Sequence, residues 1–183
     1  MQRILYAPNI HQGGGRSLLL PLIEETKNDA SLWLILDERL QLPVGLQLQG
    51  KVIRVTRSVL GRLSAEWWLK KHLSTHSILL AFGNLPPLLA RCEEIYVFIQ
   101  NRYLVDSSPS WTGFPWRIIL RMKIERLWFR FFLPKNAKLI VQTPSMQSTL
   151  LAGLNQYAES MPFIANKQST EISLTSTPAY DFL

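Results

Sequence analysis

Three consecutive glycines, Gly13, Gly14 and Gly15, follow a short apolar run at residues 3–7 and precede a helical pattern. Glycines in that place let a phosphate or a sugar approach the backbone, where free N–H groups gather at the positive end of a helix. Arg16 and Ser17 extend the pattern to Gly-Arg-Ser, which mimics the Gly-Lys-Ser of a P-loop, but the required upstream glycine falls at Ile10. The dinucleotide fingerprint fails as well, because the position three after Gly15 is Leu18. The loop therefore reads as a ligand loop of open specificity or as a tight turn. His11 lies in the same loop and has the chemistry of a base or a hydrogen-bond donor, with no carboxylate near it in sequence.

A second group lies where apolar runs end. Asn84 follows Gly83, and Gln100, Asn101, Arg102 and Tyr103 close the run at residues 94–100. Amides with an arginine offer paired donors and acceptors that suit polyols and anions, and the same side chains also serve to order loops. Hydrolase signatures are missing: there is no G-x-S-x-G, no HExxH and no carboxylate pair of clear geometry. His72 and His76 have helical metal-ligand spacing, but the helix should end near Leu73 and no third ligand follows, so no metal site is expected.

The chain has 183 residues, is 47% hydrophobic and 18% charged, and carries a formal charge of +7. That apolar fraction excludes intrinsic disorder, and a single cysteine, Cys92, excludes a disulfide framework and a four-cysteine zinc site. No apolar stretch is long enough to span a membrane, and residues 1–7 are too short for a secretory signal. The lone thiol favours the cytoplasm. The positive excess is concentrated: Arg117, Arg121, Lys123, Arg126, Arg130, Lys135 and Lys138 interleave with Trp116, Trp128, Phe129, Phe131 and Phe132, with Glu125 as the lone acid. Such a segment fits an anionic partner. Leu120, Ile124, Leu127 and Phe131 form one apolar stripe, while Ile118, Met122, Phe129 and Leu133 form another, so this helix has two faces to pack. No nucleic-acid recognition motif and no lysine-rich tail accompany it, so nucleic acid is not expected.

These residues are carried by alternating elements. Strands are expected at residues 3–7, 31–36, 51–55, 77–82, 94–100 and 138–142. Helices are expected at 16–27, 60–73, 86–92 and about 115–133, and one starts at Pro144. Ser17 and Thr143 read as N-caps, Pro21 costs a helical bond or kinks its helix, and Leu63, Trp67 and Leu69 should face inward. A long loop at 101–114 is the kind that carries function. Apolar strands alternating with helices define a parallel α/β sheet covered on both faces, with ligands at the carboxyl ends of its strands. Residues 168–178 are Ser/Thr-rich and polar like a linker, and residues 179–183 read as the beginning of another strand.

A first strand leading into YAPNIHQGGGRS, a strand ending in VFIQNRYLVD, a basic-aromatic helix and then IVQTPSM at residues 140–146 resemble, in that order, the retaining GT-B glycosyltransferases of the family 4 type. The resemblance covers most of residues 3–165. It implies a Rossmann-like parallel sheet with helices on both faces, the N-terminal half of a GT-B fold. On this reading residues 1–165 are the acceptor-binding domain, and residues 166–183 are a linker and the beginning of a missing donor domain. The complete enzyme would transfer a sugar from a nucleotide-sugar co-substrate to a lipid-linked or saccharide acceptor in surface polysaccharide synthesis. It would need no metal or other cofactor, and this chain alone would be inactive. The resemblance places Gly13, Gly14 and Gly15 near the transferred sugar, His11 as a candidate catalytic residue, and Arg16, Asn84, Gln100, Asn101, Arg102 and Tyr103 against substrate. Thr143 and Met146 would support the cleft. Trp116, Arg117, Arg121, Lys123, Arg126, Trp128 and Arg130 would meet the inner membrane surface. The residues leave a second possibility open: a non-catalytic basic module that binds anionic membrane or a partner chain.

Overall fold

The computed structural model describes residues 1–106 and 109–161. Seven parallel strands form one sheet: β1 (Arg3–Ala7), β2 (Leu32–Asp37), β3 (Lys51–Val55), β4 (Ile78–Phe82), β5 (Glu94–Ile99), β6 (Ala137–Val141) and β7 (Ala158–Ser160). Their spatial order is β3-β2-β1-β4-β5-β6-β7. The order reverses direction between β1 and β4, which makes that junction the switch point where open α/β sheets bind ligands. The central strands are apolar on both faces because both faces are covered: Leu5 pairs in register with Leu34 on one side and Leu80 on the other.

Alternate residues of each strand feed two cores. Leu5, Ala7, Leu34, Leu36, Phe82 and Phe98 pack with Leu19 and Ile23 of α1 (Gly13–Glu25). Ile4, Tyr6, Leu79, Val97 and Leu139 pack on the opposite face with three helices. These are α2 (Val59–His72), α3 (Trp116–Phe132) and α4 (Pro144–Leu154). The fold is thus a Rossmann-like α/β sheet with helices on both faces.

Four local expectations change. Helix α1 starts at Gly13, not at residue 16; its N-cap is Gln12, which makes no side-chain cap bond. Ser17 lies inside the helix, and its hydroxyl donates to the Gly13 carbonyl at 3.4 Å. Pro21 also lies inside the helix, where its missing N–H leaves the Ser17 carbonyl without the usual i→i−4 partner. In α2 the apolar Leu63 and Trp67 point outward, whereas Glu66 is fully buried beside Ala65 and Leu69. Residues 86–92 form no helix; the N–H groups of Leu88 and Leu89 donate instead to the Glu66 carboxylate of α2 at 2.8 and 3.2 Å. The short edge strand β7 carries no apolar run and was not expected. Thr143 caps α4 as its sequence predicts, accepting from the Met146 N–H. The expected linker at 168–178 and strand beginning at 179–183 lie outside the described residues.

Candidate functional site

Four chain segments meet at the carboxyl ends of β1, β4, β5 and β6. The first turn of α1 brings Gly14, Gly15, Ser17 and Leu18; the turn after β4 brings Asn84; the ends of β5 and β6 bring Gln100, Asn101 and Gln142. Together they line an open cleft of about 500 Å³. Gly13 enters α1 at φ 65°, a left-handed geometry that suits glycine. Gly15 is held close for a different reason: a Cβ there would lie 2.9 Å from Ile10 Cδ1 and 3.2 Å from Gln100 Oε1. The Gln100 amide therefore reaches the wall of the first helical turn.

Asn84 organises the opposite wall. It sits in the left-handed region at φ 70°, and its Oδ1 accepts from the backbone N–H groups of Gln100 and Asn101 at 2.6 and 2.9 Å. Asn101 Oδ1 in turn accepts from the Tyr103 N–H, and its Nδ2 lies 3.3 Å from Met122 Sδ. Gln100 Nε2 is buried and has no hydrogen-bond partner among the described residues. None of the residues lining the cleft is charged. The site thus combines the N–H groups of a helix start without a side-chain cap, amide side chains and a serine hydroxyl. That set binds hydroxyl groups and anionic oxygens and supplies no strong acid or base.

Of the expected site residues, Gly14, Gly15, Asn84, Gln100 and Asn101 come together here. Gly13 and Arg16 flank the same turn without lining the cleft. His11 lies to one side, toward β2, with its buried Nδ1 3.8 Å from Asp37 Oδ2. Asp37 is already engaged by Arg39, whose Nε and Nη2 donate to its two carboxylate oxygens at 2.8 and 2.6 Å. Burial opposes the charge on Asp37, but these bonds outweigh it and hold its carboxyl below the ordinary range. Arg102 is exposed and pairs with Asp106 at 3.3 Å, and Tyr103 packs against Trp111 and Phe114. Thr143 serves as a cap, and Met146 is buried in the core. Ser17, Leu18 and Gln142 also line the cleft, although none of them was among the expected substrate-binding residues. Gln142 follows the end of its strand just as Gln100 does, and that position was the available signal.

A larger hollow of about 600 Å³ lies between residues 87–93 and the end of α3, beside Ile95 at the start of β5. It is at the wrong end of the strands for a switch-point site. Among the described residues no group of three His, Cys, Asp or Glu side chains could hold a metal ion. His72 instead stacks on Trp68 with ring centroids 4.2 Å apart, and His76 faces Glu93. On α3, Trp116, Arg117, Arg121, Lys123 and Arg130 are exposed, and Arg126 is half-buried. Trp128 is half-buried and donates from Nε1 to the Pro86 carbonyl at 3.1 Å. No described helix is long and apolar enough to cross a membrane.

Fold and site together define a Rossmann-like α/β domain with a neutral, amide-lined cleft at its switch point. Comparison with protein-family models, with curated proteins and with solved structures finds no match.

Proposed function

We propose that this chain is the acceptor-binding part of a GT-B-type glycosyltransferase. The observation that carries the reading is the cleft itself. A helix start without a side-chain cap faces Asn84, Gln100, Asn101 and Gln142 across an uncharged opening at the switch point. A saccharide acceptor presents hydroxyl groups that both donate and accept. Amides match that pattern, and the glycine turn gives a sugar ring room against backbone N–H groups. The polar lining contains no nucleophile activated by a neighbouring base, which accords with a binding half rather than a self-sufficient active site. In this reading a nucleotide-sugar binds to a second domain, and closure of the two across the cleft aligns donor and acceptor. His11 stays a candidate for touching the transferred sugar only if closure turns it from Asp37 into the cleft.

The test is ligand-observed NMR on the purified chain with free oligosaccharides, polyprenyl-phosphate-linked sugars and nucleotide-sugars. Saturation transfer to one of the saccharide-bearing acceptors is expected, with loss of that signal in Gln100→Ala. Turnover of a nucleotide-sugar by this chain alone would overturn the acceptor-half reading. An absence of binding to every saccharide would overturn the glycosyltransferase reading altogether.

A further inference from the structure

A hollow of about 340 Å³ lies between α3, the end of α4 and the chain that follows β5. Its lining divides by chemistry. Leu104, Phe129 and Leu154 give it an apolar floor, Trp111 adds an indole, and Lys123, Arg126 and Arg130 add three cations. It shares no residue with the amide-lined cleft. Its volume falls in the range of small-molecule sites, which pair an apolar lining with a few placed polar groups.

Both the cations and the indole are set for a ligand. Lys123, Arg126 and Arg130 recur at spacings of three and four, so they share one face of α3. None of the three pairs with an acid among the described residues. The acids nearest in sequence are engaged elsewhere: Glu125 accepts from Arg121 Nε at 2.8 Å, and Asp106 pairs with Arg102 at 3.3 Å. Like charges at helical spacing repel, and an anion held among them turns that repulsion into attraction. Trp111 is propped from its own loop. Tyr103 stacks on it with ring centroids 5.9 Å apart, and Phe114 meets Tyr103 edge-on at 5.4 Å. Tyr103 is fixed in turn, because its N–H donates to Asn101 Oδ1 at 3.0 Å.

We propose that this hollow binds a free nucleotide, with its phosphates among Lys123, Arg126 and Arg130 and its base against Trp111. Guanidinium groups hold phosphate oxygens through paired N–H donors, and a lysine adds a point charge. An indole accepts a base of any identity, since every base has a π-face. The floor selects against an acidic peptide: Leu104, Phe129 and Leu154 side chains offer no hydrogen bond to peptide N–H and C=O groups that would be buried on them. Inorganic phosphate alone would leave the indole and the floor unused. The hollow is separate from the cleft, so the proposal neither rests on glycosyl transfer nor falls with it.

NMR titration of the isotope-labelled full chain with adenosine diphosphate, uridine diphosphate, adenosine and inorganic phosphate tests it. Both nucleotides are expected to shift the Trp111 indole N–H and the Leu104 and Leu127 amides. They should bind about tenfold or more tighter than adenosine or inorganic phosphate. Arg130→Ala should weaken nucleotide binding about tenfold, and Lys123→Ala with Arg130→Ala about 100-fold. Trp111→Ala should weaken it about tenfold and leave the binding of inorganic phosphate unchanged. Lys135→Ala removes an exposed cation outside the hollow and should change nothing. The titrations of the parent chain decide the proposal even where a variant fails to fold. Inorganic phosphate binding as tightly as the nucleotides would make the hollow a bare anion site and overturn the assignment. So would shifts centred on Asn84 and Gln142, which put the nucleotide in the cleft, or an equal loss in Lys135→Ala, which marks surface charge alone. The absence of any shift with either nucleotide would overturn it as well.

Discussion

Asn84 Oδ1 accepts a hydrogen bond from the backbone N–H of Gln100 at 2.6 Å, and this bond joins the turn after β4 to the end of β5. The same oxygen takes the next N–H, that of Asn101, at 2.9 Å. A side chain sixteen residues upstream thereby sets where both amides of the cleft begin. Asn84→Ala should cost about 1–3 kcal/mol, because two half-buried N–H groups lose their acceptor and alanine tolerates the left-handed backbone poorly. Asn84→Asp keeps the acceptor and should stay within about 1 kcal/mol of the parent. Urea unfolding of the two variants compares them directly; an equal loss in both would show that the oxygen is not what matters.

Gly14 and Gly15 are neighbours with opposite tolerance. A Cβ on Gly14 meets nothing within 4 Å, whereas one on Gly15 meets Ile10 and Gln100 at 2.9 and 3.2 Å. Gly14→Ala should leave stability unchanged or raise it by up to about 1 kcal/mol, since glycine is the weaker helix former. Gly15→Val should lower it by about 1–3 kcal/mol through overpacking and push the Gln100 amide away from the cleft. Thermal melts measure the first effect. The Gln100 side-chain amide resonances report the second, and the prediction fails if Gly15→Val leaves them in place.

Much of this cleft is legible in the sequence, since Asn84, Gln100 and Asn101 follow apolar runs and the glycines follow the first one. The strands are legible for the same reason: buried on both faces, β1, β2, β4 and β5 read as short apolar runs. Legibility ends where a contact distant in sequence decides. Pro86 and Pro87 look like a helix start, but the segment stays irregular and is tied through Leu88 and Leu89 to Glu66, more than twenty residues away. In α2 the hydrophobic pattern points the wrong way, because Glu66 is the buried residue and Trp67 the exposed one. His11 meets a carboxylate only through β2, which no local spacing reveals.

The burial of Glu66 carries its own prediction. Its Oε1 accepts from the Tyr6 hydroxyl at 2.6 Å and lies 3.4 Å from Arg62 Nε, while its Oε2 accepts from the N–H groups of Leu88 and Leu89. One carboxylate thus ties β1, α2 and the β4–β5 connection together. Burial, with the nearby carboxylate, drives the Tyr6 phenol far above its ordinary range, so it stays a donor at any accessible pH. Glu66→Ala should cost about 3–5 kcal/mol, since it strands Arg62 in the interior together with the donors that Glu66 satisfied. Tyr6→Phe removes only one donor and should cost about 1–2 kcal/mol. Hydrogen exchange at Leu88 and Leu89 should accelerate sharply in Glu66→Ala and hardly at all in Tyr6→Phe. Equal acceleration in both would mean that the tyrosine, not the carboxylate, holds the loop.

Asp37 should shape the acid limb of stability. It is 1% exposed at the end of β2, and it accepts from Arg39 through the backbone N–H, Nε and Nη2 at 2.9, 2.8 and 2.6 Å. Burial acts against its charge, yet the Arg39 bonds prevail and the folded carboxyl titrates below its ordinary value of 3.8. The unfolded chain therefore takes up this proton more readily than the folded one. The stabilisation is full above the unfolded value and drains away as pH falls through the folded value. Asp37→Asn should cost about 1.5–3 kcal/mol near pH 7, the range for hydrogen bonds to a charged group. That cost should shrink below about pH 4, where the parent loses its carboxylate and the variant has none to lose. Asp29 is also held low, by its bonds to Ser31, and it contributes to the acid limb of parent and variant alike, so the difference between their urea curves isolates Asp37. A cost that stays constant from neutral to acid pH would mean that Asp37 acts through shape and neutral hydrogen bonding rather than through its charge.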